Sequence, residues 1–207
     1  MNHYSTSPST VKTRSAALFS AVVPVYNESL LAVEFIQALA NCLRAMTPCF
    51  EIIAVDDGSK DDTAARIKAL GLTLPELKLL SFSRNFGKEK AITAGLHHAS
   101  GDAVLIIDSD FQHPLETVPI LFERWQAGFD NIYAVRRDRK DQTLLNRFFA
   151  NNFYRLNQSL MSIDLPANAG DFRILDRKVV DAINLLPEAN RFMKGLYAWV
   201  GFKGSPV

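Results

Sequence analysis

Short apolar runs and helical stripes alternate along this chain. Residues 16–25 read as a first strand that closes at Pro24 and Val25. Leu31, Phe35, Leu39 and Leu43 then recur on one face of a helix running to about Met46, with Asn27 or Ser29 as its cap. Residues 50–55 form a second buried strand and 61–70 a second helix, with Gly71 past its end. A strand at 77–82, a polar loop at 83–88, a helix at 89–99, a strand at 104–107, a helix at 115–126 and a strand at 131–135 complete the pattern. Strands alternating with helices predict an α/β fold, a mostly parallel central sheet with helices on both faces.

The polar positions sharpen this picture. Sheets of this kind bind ligands beyond the carboxyl ends of their strands. Here those ends carry Tyr26 and Glu28, Asp56 and Asp57, Asp108 and Asp110, and Arg136. Asp108 and Asp110 stand one residue apart at the edge of the run Val104 to Ile107. Two carboxylates there are costly to desolvate without a cation between them. A hard divalent ion, Mg2+ or Mn2+, suits oxygen ligands and completes its shell with phosphate oxygens. Read as structure alone, the same acids would cap helices or sit in a solvated turn.

Composition removes several classes. The chain has 207 residues, 48% hydrophobic, with 14 Phe, enough for one large domain with a sizeable core. The formal net charge of +1 gives no global field toward a nucleic acid, and no nucleic-acid partner is expected. Cys42 and Cys49 have no neighbouring metal ligands and read as reduced thiols, one of them buried. Residues 1–15 are Ser/Thr-rich and are expected to form a disordered tail ahead of a domain at 16–207. No run of 18 apolar residues occurs, so no spanning helix is expected. Pro24 to Glu28 stands where a dinucleotide fold needs its glycines, and Phe82 where a phosphate loop ending at Gly87-Lys88 needs its first glycine. A signalling receiver domain would not need the cluster from Asp108 to His113.

Four motifs, in order, carry a resemblance. They are Val22-Val23-Pro24-Val25-Tyr26-Asn27-Glu28, Val55-Asp56-Asp57-Gly58-Ser59, Ser83-Arg84-Asn85-Phe86-Gly87-Lys88 and Asp108-Ser109-Asp110-Phe111-Gln112-His113-Pro114. Together they resemble family 2 glycosyltransferases of GT-A fold. Gln112-His113-Pro114, Gly170-Asp171-Phe172-Arg173 and Asn190-Arg191-Phe192-Met193-Lys194-Gly195-Leu196 are similar to the polyprenyl-phosphate group, the bactoprenol glucosyltransferases and dolichyl-phosphate mannose synthases. The resemblance implies a nucleotide-sugar donor, with a UDP-sugar favoured. Pro24, Tyr26, Glu28, Val55, Asp57, Asp108, Ser109 and Asp110 would bind it. Asp108, Asp110 and Gln112 would hold Mg2+ or Mn2+. Asp171 would act as base or positioning acid. Arg136 and Arg147 would receive the phosphate of a polyprenyl acceptor, Arg136 serving catalysis as well. A phosphate monoester is already anionic near neutral pH, so such an acceptor needs cations more than a base. Lys88 would approach a phosphate or else sit on the surface. Transfer opposite the leaving diphosphate would invert the anomeric centre.

The same resemblance implies work at the cytoplasmic side of the plasma membrane, with homo-oligomers possible. Many members of that group continue into two membrane-spanning helices preceded by a basic segment that touches the diphosphate. This chain stops at Val207, which implies a piece of a longer protein. A soluble enzyme acting on a saccharide or protein, and a non-catalytic nucleotide-binding scaffold, remain as alternatives. Residues 144–161 read as an amphipathic helix with Leu145, Phe149, Phe153, Leu156 and Leu160 on one face, suited to core packing or to a membrane surface. On the membrane reading, Phe149→Asp with Phe153→Asp abolishes liposome binding in flotation while the circular dichroism of the chain is unchanged; retained flotation rejects that reading.

Overall fold

The computed structural model describes residues 14–135, 169–188 and 191–207. The described elements run β1 (Phe19–Val25), α1 (Ser29–Met46), β2 (Phe50–Asp56), α2 (Thr63–Leu70), β3 (Leu77–Ser81), α3 (Lys88–His98), β4 (Ala103–Ile106), α4 (Thr117–Gln126), β5 (Asn131–Val135), β6 (Ala169–Asp176), α5 (Arg177–Asn184), α6 (Met193–Trp199) and β7 (Gly204–Pro206). They build a seven-stranded sheet in the order β3-β2-β1-β4-β6-β5-β7. Strands β1 to β4 pair in parallel. Strand β6 enters antiparallel between β4 and β5. Because β6 runs backwards, its beginning lies at the rim where β1, β2 and β4 end.

Alternation along the buried strands sends side chains to two cores. Phe19, Ala21, Val23 and Val25 of β1 face α1, α2 and α4, through Phe35, Leu39, Ile67, Leu121 and Trp125. Val22, Ile53, Val55, Val104 and Ile106 face the other way, toward α3, α5 and α6. Gly95 lets α3 approach this face, since a Cβ there would lie 2.2 Å from Val22 Cγ1. Helix α1 is long and apolar enough to cross a membrane by length and composition. Its buried stripe of Ala32, Phe35, Ile36, Leu39, Ala40 and Leu43 instead packs on the sheet, as a core helix does.

Several local expectations change. Neither Asn27 nor Ser29 caps α1 with its side chain. The hydroxyl of buried Thr63 on α2 does so, accepting N–H bonds from Glu28 (3.0 Å) and Ser29 (2.9 Å). Cys42 is half-buried and Cys49 exposed, so neither thiol is a core residue. Arg14 bonds the Phe129 carbonyl through its guanidinium and pairs with Asp130 (2.9 Å) and Asp176 (3.0 Å). The amphipathic segment 144–161 lies outside the described residues.

A buried polar knot ties the strand starts, opposite the ligand rim. Glu51 accepts from Ser20 Oγ (2.6 Å), the Ser100 amide (2.8 Å) and Lys78 Nζ (2.6 Å). Burial raises the Glu51 carboxyl, but the bonds from Lys78, Ser20 and Ser100 outweigh it and hold the group below its ordinary value. A folded-state value below the unfolded one gives stability that is present above about pH 4.5 and is lost as pH falls through the folded value. Glu51→Gln is therefore expected to lower the urea midpoint at pH 7 by the equivalent of about 1–3 kcal/mol. The gap to the parent chain should narrow below pH 4; a constant gap would exclude this origin.

Candidate active site

The site is built from loops that leave the carboxyl ends of β1, β2 and β4 and from the start of β6. After β1, Asn27 adopts φ 53°. Its amide donates to Ser59 Oγ (2.9 Å) and its Oδ1 accepts from the Lys60 amide (2.8 Å), stitching the β1 and β2 loops together. After β2, the chain turns at Gly58, φ 70°, where a Cβ would meet the Arg84 backbone at 2.3 Å. The close approach requires glycine. Asp57 is 4% exposed. Its carboxylate accepts from the amides of Phe86 (2.7 Å) and Gly87 (2.9 Å), pinning the loop that leads into α3. This is a structural task for Asp57 beside any ligand contact.

The loop after β4 carries the acids. Lys88, the first residue of α3, reaches across to Asp108 Oδ1 (2.7 Å) and to Asp171 Oδ2 of β6 (3.2 Å). It is a cleft residue rather than a plain surface lysine. Burial opposes its charge, yet the two carboxylates outweigh that and raise the ammonium above its ordinary value. Ser109 is buried, its hydroxyl against the Pro24 carbonyl (3.3 Å) and the Glu28 carboxylate. Burial lifts the Glu28 carboxyl; Ser109 counters this, while Asp110 and Asp108 add repulsion. Phe111 takes φ 56° and packs its ring on Phe35 at 5.0 Å, and the Gln112 amide donates to Asp110 Oδ1 (3.0 Å). His113 stacks on Phe172, centroids 4.7 Å apart, joining the acid loop to the strand that bears Asp171.

These groups surround a cleft of about 320 Å³, a volume at the small end of the range for small-molecule sites. Of the residues predicted to bind a donor, Pro24, Tyr26, Glu28, Asp57, Asp108, Ser109 and Asp110 line it. Val55 does not: its side chain is fully buried in the core beneath the cleft. Gln112 is exposed outside the lining and backs Asp110 through its main chain. Asp171 meets the cleft through Lys88. Arg136 and Arg147 lie outside the described residues, as do Arg137, Arg139 and Lys140. Asn85, Gly87 and Ala91 also line the cleft, with no role foreseen for them. The signal for Asn85 and Gly87 was the polar stretch 83–88 between a strand and a helix; Ala91 lies within α3 and had none.

Glu28, Asp108, Asp110 and Asp171 bring four carboxyls to one place against the single ammonium of Lys88. Among the described residues no group of three or more His, Cys, Asp or Glu side chains is arranged to hold a metal ion. A divalent ion here would draw on Asp108 and Asp110 and take its remaining ligands from a substrate or water. The donor set is all oxygen, and among the described residues its negative charge is only partly offset by Lys88, which fits Mg2+ or Mn2+.

The α/β sheet, with an antiparallel strand returning through the rim that carries the acidic cleft, has the GT-A fold. The model of glycosyl transferase family 2 matches residues 20–183, and the chain belongs to that family. It is 47% identical over 182 residues to a bactoprenol glucosyl transferase of Shigella phage SfV, covering 88% of this chain and 59% of that one. It is 43% identical over 189 residues to the glycosyltransferase YkcC of Bacillus subtilis (strain 168), covering 91% and 58%. The chain thus spans about three fifths of the length of the curated relatives it matches. Among solved structures, a mannosyltransferase of Pyrobaculum calidifontis in complex with GDP-Man and Mn2+ superposes with a TM-score of 0.67 at 22% identity, covering 95% of this chain and 56% of that one. Glucosyl-3-phosphoglycerate synthase of Mycobacterium tuberculosis, with Mn2+, UDP and phosphoglyceric acid, gives 0.56 at 23% identity over 78% and 56%.

The grip of Asp57 on its loop is directly measurable. Asp57→Ala should speed hydrogen exchange at the Phe86 and Gly87 amides by about tenfold or more, the loss of one hydrogen bond's worth of protection. Unchanged exchange at both amides would show that the loop holds itself.

Proposed function

We propose that this chain is the donor-binding and catalytic part of an inverting glycosyltransferase that moves a hexose, glucose from UDP-glucose, onto a polyprenyl phosphate at the cytoplasmic face of the membrane. The observation that carries this reading is the cleft itself: seven of the eight donor-binding residues expected from sequence line one acidic cavity at the strand ends. The named bactoprenol relatives support the lipid acceptor and the sugar.

Each residue has work to do. Pro24, Tyr26 and Glu28 form the nucleoside wall, and Asp57 faces the base from a loop it also pins. Asp108 and Asp110, backed by Gln112, would hold Mg2+ or Mn2+. That ion, when bound, neutralises charge on the departing diphosphate. Lys88 supplies a second positive charge in the same cleft. Asp171 faces Lys88 and orients or deprotonates the acceptor. Arg136 and Arg147 receive the acceptor phosphate. Val135, bonded to Arg136, pairs with Ala169, two residues before Asp171.

Calorimetric titration with UDP-glucose, UDP and GDP-mannose, with and without Mg2+ or Mn2+, tests the donor side. Binding of UDP compounds that requires the metal and drops at least about 100-fold in Asp110→Ala is expected for loss of a hard-ion ligand. Metal-independent binding, or a preference for GDP-mannose, would overturn the metal or the donor respectively.

A further inference from the structure

Arg173 is the only buried lysine or arginine among the described residues, at 2% exposure. It follows Asp171 by two positions on β6, in the stretch where the pairing with β5 shifts register. Its guanidinium lies 3.7 Å from the ring centroid of Tyr197 on α6. It donates to Asn131 Oδ1 (3.2 Å) and to the Gly170 carbonyl (2.5 Å). No ion pair among the described residues includes it. A buried cation with no counter-charge is expensive to maintain. Burial pulls the guanidinium down, while Tyr197, Asp171 and Tyr133 favour its charge. Three buried polar atoms in this neighbourhood, Arg173 Nε, Tyr197 Oη and Asp171 Oδ1, have no hydrogen-bond partner among the described residues. Helix α6 is in turn fixed to α3, through the Met193 amide on Glu89 Oε2 (3.0 Å). Helix α3 bears Lys88, and β6 bears Asp171, so this wall joins the two ends of the Lys88–Asp171 ion pair.

We propose that Arg173 is a positioning residue for Asp171. From within this wall its charge keeps the carboxylate turned toward Lys88 and the cleft, while Tyr197 holds the guanidinium in place. The inference rests on the reading of Asp171 as the group that acts on the acceptor. The competing role is a purely structural one, bracing β5, β6 and α6 without regard to Asp171.

A double-mutant cycle separates the two. Glucose transfer from UDP-glucose to undecaprenyl phosphate in detergent is measured for the parent chain, Arg173→Met, Asp171→Asn and the double variant, with donor stoichiometry from calorimetry counting the folded molecules. Arg173→Met is expected to lower kcat per folded molecule by about 10- to 100-fold, the scale of a misplaced catalytic group, with donor Kd changed less than about twofold. In the Asp171→Asn background the same change should cost less than about twofold, because the groups act as one unit. Arg173→Lys, which keeps the charge, should recover at least about tenfold of the loss. Should Arg173→Met fail to fold, Tyr197→Leu replaces it in the cycle, with the same cancellation expected. Equal losses in both backgrounds, or no recovery by lysine, overturn the inference and leave the donor site standing. Parent-like turnover of Asp171→Asn, or no transfer by the parent chain, overturns the role of Asp171 and this inference with it.

Discussion

The constraint on which the site depends is an excess of negative charge at the end of a buried sheet. β1, β2 and β4 are buried along their whole length, so their last residues enter a medium where charges interact strongly. The chain places Glu28, Asp57, Asp108 and Asp110 there and answers them with Lys88 and backbone amides. Asp57 is satisfied internally, by Phe86 and Gly87. Asp108 is satisfied by an ammonium that also serves Asp171. Asp110 receives one amide, from Gln112. What is left over among the described residues is a demand for positive charge, which a hard divalent ion of the kind proposed above would meet.

The fold meets a second requirement through β6. A fifth parallel strand beside β4 would bring only another strand end to the rim. An antiparallel strand brings its beginning, so Gly170 and Asp171 enter the site where Asp176 would otherwise stand. The far end of the same strand then carries Asp176 to the opposite edge of the sheet, where it accepts from Trp125 and pairs with Arg14. One strand thus anchors the base of the fold and delivers a carboxylate to its rim. His113 on Phe172 joins that strand to the acid loop, and Lys88 bridges Asp108 and Asp171 between them.

Much of this was legible in the sequence because it is local. Alternation and helical stripes located β1 to β5 and α1 to α4 within a few residues, and the strand-end rule placed Glu28, Asp57, Asp108 and Asp110 around one cleft. What escaped depends on contacts between distant parts. The cap of α1 comes from Thr63, more than thirty residues away in sequence, which no local pattern encodes. Val55 shared a motif with Asp57, but strand alternation turns its side chain into the core. β6 carries Asp171, Arg173 and Asp176 among apolar residues, and its insertion between β4 and β5 reverses the order that chain succession suggests. Lys88 reads from the sequence as a phosphate contact or a surface lysine; its pairing with Asp171 depends on the placement of β6.

The division of labour follows from this geometry. Donor-side groups sit on strand ends and on loops pinned by buried acceptors, which fixes them before any ligand arrives, as electrostatic preorganisation requires. β5 and β6 remain paired as far as Val135 and Ala169, so the two ends of the segment between them lie side by side. A connection whose two ends are paired can vary in length and sequence without disturbing the sheet. The first residue after Val135 is Arg136, and Asp171 lies two residues beyond Ala169. The sheet therefore fixes the strand-end groups of the cleft, and on the function proposed above the acceptor arginines would lie in the segment that joins these two paired strand ends.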